Sequence, residues 1–110
     1  LYNKMFSMSK KNNNGNTKII GIDNIKIITN GTLDEFKNIT NPNQVGKVIN
    51  TDNNEVVNEI TPMIMIINQG KTDYKECLNI MIQNGGDMNK VINYNGGMSP
   101  REIAVQYRNF

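Results

Sequence analysis

Five consecutive apolar side chains, Met63-Ile64-Met65-Ile66-Ile67, follow Thr61-Pro62. This run sets the strictest condition on the fold. Thr is a favoured helix cap, and Pro at the first helical position gives up an amide that has no partner there anyway. The pair therefore reads as a helix start. A helix that is apolar all round has no face to give to water and must be buried on both sides. Elements before and after it have to supply that cover.

The following segment predicts one such partner. Tyr74, Cys77, Leu78 and Met81 recur at i, i+3, i+4 and i+7, a single apolar helical stripe. Asp73-Tyr74-Lys75-Glu76 has the form of a capping box at its start. Asn84-Gly85 ends it, glycine accepting the left-handed conformation at a helix C-terminus. Ser99-Pro100-Arg101-Glu102 repeats the start signal with a Ser cap, Pro first and Glu third, and Ile103, Ala104 and Tyr107 follow.

Upstream, Ile22, Ile25, Ile27 and Ile28 have helical spacing and precede Asn30-Gly31. Thr32-Leu33-Asp34-Glu35 is another capping-box pattern, and Leu33, Phe36 and Ile39 continue it until Asn41-Pro42-Asn43. The pattern predicts a helix pair over 21–40. Residues 41–60 read as a long loop or a β-hairpin, with Val45, Val48 and Ile49, then Val56 and Val57, as its arms. Residues 1–18 are rich in Lys, Asn and Ser and read as a tail or linker, too polar to offset chain entropy. Leu1, Tyr2, Met5, Phe6 and Met8 are its apolar exceptions.

The order of cap, helix, turn, helix, glycine and loop over 61–104 resembles the ankyrin repeat. Aligning Ile27, Ile66 and Ala104 gives spacings of 39 and 38 residues, longer than the family's roughly 33. The extra residues fall in loops, where insertions cost little. Bulky Ile stands at 27 and 66 where the family has a small residue, and the chain has no His. The resemblance implies an all-α fold: an ankyrin-like solenoid of stacked helix-turn-helix repeats, with long loops or short β-hairpins between them. It places about two and a half repeats in 19–110. Because such repeats are stable only when stacked, it also implies flanking repeats or a neighbouring chain that completes the stack.

In function the resemblance implies a protein–protein interaction scaffold that binds another protein through loop tips and inner-helix ends. Carried onto this chain, those positions are Glu59, Ile60, Asn68, Gln69, Tyr94, Asn95, Met98, Gln106 and Tyr107. Tyr is a favoured interface anchor, which singles out Tyr94 and Tyr107. A structural role in a larger assembly such as a virion is the alternative.

Composition narrows the remaining classes. The net charge of +2 gives no electrostatic case for nucleic acid or a membrane surface. A lone cysteine, Cys77, excludes an internal disulfide, fits a reducing compartment and sits on an apolar stripe as core. No apolar run approaches membrane-spanning length. No secretory pattern is visible, and a chain opening on Leu1 reads as part of something longer. These features point to an intracellular protein. Asparagine makes up about a fifth of the chain, the mark of an AT-rich coding sequence such as that of a protist or its virus. In so much Asn, the sequons at Asn30 and Asn38 are chance matches.

The chemistry-bearing residues do not assemble. Gly70-Lys71-Thr72 is reminiscent of a phosphate-binding loop, but the motif needs Gly where Met65 stands, so nucleotide binding is a remote alternative. The acidic residues form no pair suited to acid–base work, and several sit in first helical turns. Lys4, Lys10, Lys11 and Lys18 read as a solvated tail. No catalytic residue, metal site or cofactor is expected.

Overall fold

In the computed structural model, which describes residues 16–108, the first described element is a strand. In β1 (Thr17–Ile20), Thr17 and Ile19 are half-buried while Lys18 and Ile20 are exposed. That period of two suits β-branched side chains. Positive φ at Gly21 and Asn24 then turns the chain into a six-residue helix, α1 (Ile25–Asn30). Thr32 and Glu35 exchange the reciprocal bonds of a capping box: Thr32 N–H donates to the Glu35 carboxylate at 2.8 Å and Glu35 N–H donates to Thr32 Oγ1 at 3.3 Å. Only a 3-10 turn, Asp34–Asn38, follows, and it buries Phe36. The expected helix pair over 21–40 is thus one short helix and one turn.

The hairpin alternative for 41–60 is the one realised. β2 (Gly46–Asn50) and β3 (Val56–Ile60) pair antiparallel, and β1 adds to the other edge of β2, giving the order β1-β2-β3. Val48 stands opposite both Ile19 and Asn58, with a register shift between Val48 and Ile49. Gly46 is required by close approach: a Cβ there would lie 2.5 Å from the Ile20 carbonyl oxygen and 2.6 Å from the Ile22 side chain. Val45 falls just outside the strand and is exposed.

This antiparallel sheet overturns the expected all-α ankyrin-like solenoid; the chain folds as a small α/β domain. The reason is that the isoleucines of 19–28 satisfy both periods over so short a run. Two left-handed residues break the helical register, and pairing with a distant strand decides the rest. Of the expected tail, residues 1–15, with Leu1, Tyr2, Met5, Phe6 and Met8, lie outside the described residues, whereas Thr17 and Lys18 belong to β1.

The second half keeps closer to its local signals. Helix α2 (Pro62–Gln69) is capped by Thr61, whose hydroxyl accepts from Ile64 N–H at 3.3 Å, and every residue from Pro62 to Asn68 is buried. It packs against α1, α3 (Tyr74–Gln83) and α4 (Pro100–Ile103), as an all-apolar helix must. Each buried Ile or Met contributes roughly 1.5–3 kcal/mol. The predicted α3 stripe of Tyr74, Cys77, Leu78 and Met81 is buried in the same core. At its start the capping box does not form: Asp73 has φ −101 and ψ 25, not the extended backbone a cap needs, and its side chain makes no cap bond. At α4 the box is complete between Ser99 and Glu102, and the chain continues into a wider π-helical turn, Ala104–Arg108.

Candidate interaction site

Between α3 and α4 the chain makes a small hairpin. Ile92 and Met98 form an antiparallel bridge, and Gly97 N–H donates to the Tyr94 carbonyl at 3.1 Å. The two residues in between, Asn95 and Gly96, have φ 50 and φ 89. Positive φ at both central positions is the type I′ turn that joins strands most tightly, and Asn-Gly is its preferred pair. The tip is exposed at Asn93, Asn95, Gly96 and Gly97, and Val91 beside it is 62% exposed.

The hairpin also covers the Asn58–Glu59 end of the outer edge of β3. Glu59 N–H donates to the Asn93 carbonyl at 2.9 Å, and Asn93 N–H donates back to the Glu59 carboxylate at 2.8 Å. Asn95 N–H donates to Asn58 Oδ1 at 3.0 Å. The exposed tip is therefore held by the sheet on one side. From below it is held by Tyr94, which is wholly buried and receives a 2.6 Å bond from Asn68 Nδ2.

The residues expected at a partner surface divide accordingly. Asn95 and Gln106 are exposed, and Glu59 and Met98 are half-buried. Ile60, Asn68 and Tyr94 are buried, so they cannot act as exposed contacts. Tyr94 is the main correction. Its ring fills the core and its hydroxyl accepts from Asn68 Nδ2, so it supports the site without presenting it. Gln69 is half-buried, but both its amide atoms are buried without a hydrogen-bond partner, as is Asn68 Oδ1. The side chain of Tyr107 lies outside the described residues. Sequence reasoning missed Val91, Asn93 and Asn58, although Asn95-Gly96 between Ile92 and Met98 is a strong hairpin signal.

Two other places have the look of sites, and geometry accounts for each. Lys71 lies between two helices, not after a strand, so the layout of a phosphate loop is absent. Its ammonium donates to the Gly31 carbonyl at 3.2 Å and sits 5.1 Å from the centre of the Phe36 ring. There it satisfies the C-terminus of α1 and ties the two halves together. An open pocket of about 460 Å³ is lined by residues 40–44 with Asn84 and Gly85. Its amides are already engaged. Asn43 donates to the Gly85 carbonyl and accepts from Asp87 N–H, Gln44 bonds both ways with Asp23, and Asn84 donates to the carbonyls of Phe36, Lys37 and Ile39. The Asn43 and Asn84 bonds staple the two halves together.

Cys77 is buried, and burial followed by the nearby Asp73 carboxylate pushes its thiol pKa up, away from the reactive thiolate. Among the described residues no three His, Cys, Asp or Glu gather as metal ligands do, and no helix is long and apolar enough to cross a membrane. No protein-family model, no curated protein and no solved structure matches the chain.

Proposed function

We propose that this chain is a non-catalytic protein-recognition module whose contact surface is the hairpin at 91–98 together with the exposed Val105 and Gln106 of the π-helical turn that follows α4. One observation carries the reading: an exposed type I′ tip is clamped to β3 on one side and to the buried Tyr94 on the other. A loop so fixed loses little entropy on binding, which is what favours a preformed recognition surface. On this reading 61–104 is related to a single ankyrin-like unit, its helix pair α2–α3 leading through the hairpin to the next Ser-Pro cap. The partner is another protein that meets Val91 with an apolar group and the Asn93–Asn95 amides with hydrogen bonds.

A photo-reactive residue in place of Val91, set against one in place of Leu33, tests this. The expected result is a discrete protein adduct from position 91 that excess unlabelled chain competes away and that an Asn95→Ala chain competes away less well. Equal labelling from both positions, or none from position 91, rejects it.

A second reading, a fixed component of a larger assembly, draws on a different observation. Ile20, Val56 and Val57 leave apolar surface on the sheet face away from the helices. An isolated chain that stays monomeric and binds reversibly favours the first reading over this one.

A further inference from the structure

Three Asn-Gly pairs fall among the described residues: Asn30-Gly31, Asn84-Gly85 and Asn95-Gly96. Such pairs share a reaction. The glycine amide nitrogen attacks the asparagine Cγ, the Cγ–Nδ2 bond breaks, and ammonia departs with the proton the attacking nitrogen gives up. Water then opens the resulting succinimide. Attack at Cγ leaves aspartate; attack at the main-chain carbon leaves isoaspartate, with the backbone routed through one extra methylene. Reaction requires a free nitrogen on the glycine, a free amide on the asparagine and room for both to turn.

The fold withholds these conditions at two of the three pairs. Gly31 N–H donates to the Ile27 carbonyl at 2.7 Å. A Cβ at Gly31 would meet Ile27 atoms at 2.6 to 2.9 Å, so the segment has no room to rotate. Gly85 N–H donates to the Ile82 carbonyl at 2.9 Å, and the Asn84 amide is held by three carbonyls. At the third pair both groups are available. Among the described residues neither the Asn95 side-chain amide nor Gly96 N–H has a hydrogen-bond partner; the Asn95 bond to Asn58 is made by its main-chain N–H. Asn95 is exposed, and nothing lies within 4 Å of where a Gly96 Cβ would be. We propose that Asn95 is a spontaneous deamidation site, selected from the three by the fold.

The product changes the hairpin in two ways. Either branch places a carboxylate at the tip, removing one unit from the net charge of +2. The isoaspartate branch also lengthens a turn whose geometry allows two residues between Tyr94 and Gly97. It strains the Gly97–Tyr94 bond and the Ile92–Met98 bridge. The conversion does not depend on what the hairpin binds.

Cleavage after Lys and Arg puts the three pairs in separate peptides, 27–37, 76–90 and 91–101. The intact chain is incubated in native buffer at mildly alkaline pH, and in parallel in concentrated urea, and each peptide is followed by mass and by separation of its isoaspartyl form. In native buffer peptide 91–101 is expected to convert about tenfold or more faster than the other two, which react only through local opening. In urea the three rates are expected to converge. If Asn95 converts no faster than Asn30 or Asn84 in the native chain, or if its lead persists undiminished in urea, the proposal is overturned.

Discussion

The two halves of this domain are built by different kinds of information. From Thr61 onward, structure follows from neighbours within one or two helical turns: Thr61 caps α2, Ser99 caps α4, and the α3 stripe is buried where its spacing puts it. Before Thr61, structure follows from partners far along the chain. β1 exists because β2 pairs with it, and Gly46 is small because Ile20 and Ile22 pass close by. Local signals specify helices well and sheets poorly, since a strand is stabilised by what lies across from it.

The largest expected effect concerns what the halves share. Ile66 is fully buried in α2, against which both halves pack. Ile66→Ala should destabilise by about 2–5 kcal/mol. Urea unfolding followed by two probes, one for helix and one for the sheet, should show a single coincident transition at lower midpoint. Separate transitions would mean the halves are independent and the comparison is one of two domains.

Gly46→Ala acts on the first half alone. Its methyl meets a backbone carbonyl and a side chain that are both tightly placed, so a loss of about 1–3 kcal/mol is expected. A thermal midpoint unchanged from the parent would show that the β1–β2 approach is loose and that this half is less specified than its geometry implies.

Within the second half, two caps that look alike in sequence should behave differently. Ser99→Ala should cost about 1 kcal/mol because its hydroxyl bonds Glu102 N–H, whereas Asp73→Ala should stay within roughly 0.5 kcal/mol. Equal losses in equilibrium unfolding would indicate that Asp73 caps α3 in solution after all.

The smallest effect is in pH. The folded Cys77 thiol pKa lies above its ordinary value because burial, then Asp73, disfavours the thiolate. Its contribution to stability is therefore complete below the unfolded thiol pKa and is lost as pH rises towards the folded one. The difference in urea midpoint between parent and Cys77→Ala should shift in favour of the variant as pH rises through that window. A pH-independent difference would show that the thiol titrates alike in both states.

These contrasts explain what was legible. The buried helix, its partner stripe and two of the three later caps could be read because each rests on contacts a few residues apart. The hairpin of 41–60 was legible only as one of two options. The strand at Thr17–Ile20 was not, because four residues carry too little periodicity and the deciding contact is with Asn50 to Lys47. At the candidate site, Asn95, expected to touch a partner, is exposed, while Tyr94, expected to anchor a partner, instead anchors the hairpin from inside. Residue type alone does not say which side of a loop a tyrosine faces.

The cover that Asn93 and Asn95 give one end of β3 bears on strand addition. Open-ended polymerisation by strand addition needs two complementary free edges per molecule, one to receive and one to donate. With Glu59 N–H and the Asn58 and Glu59 side chains bonded to the hairpin, this end of the β3 edge is less open to an added strand than the edge of β1. An incoming strand then meets an occupied donor at Glu59, so opening of the hairpin is what would expose this end of the edge.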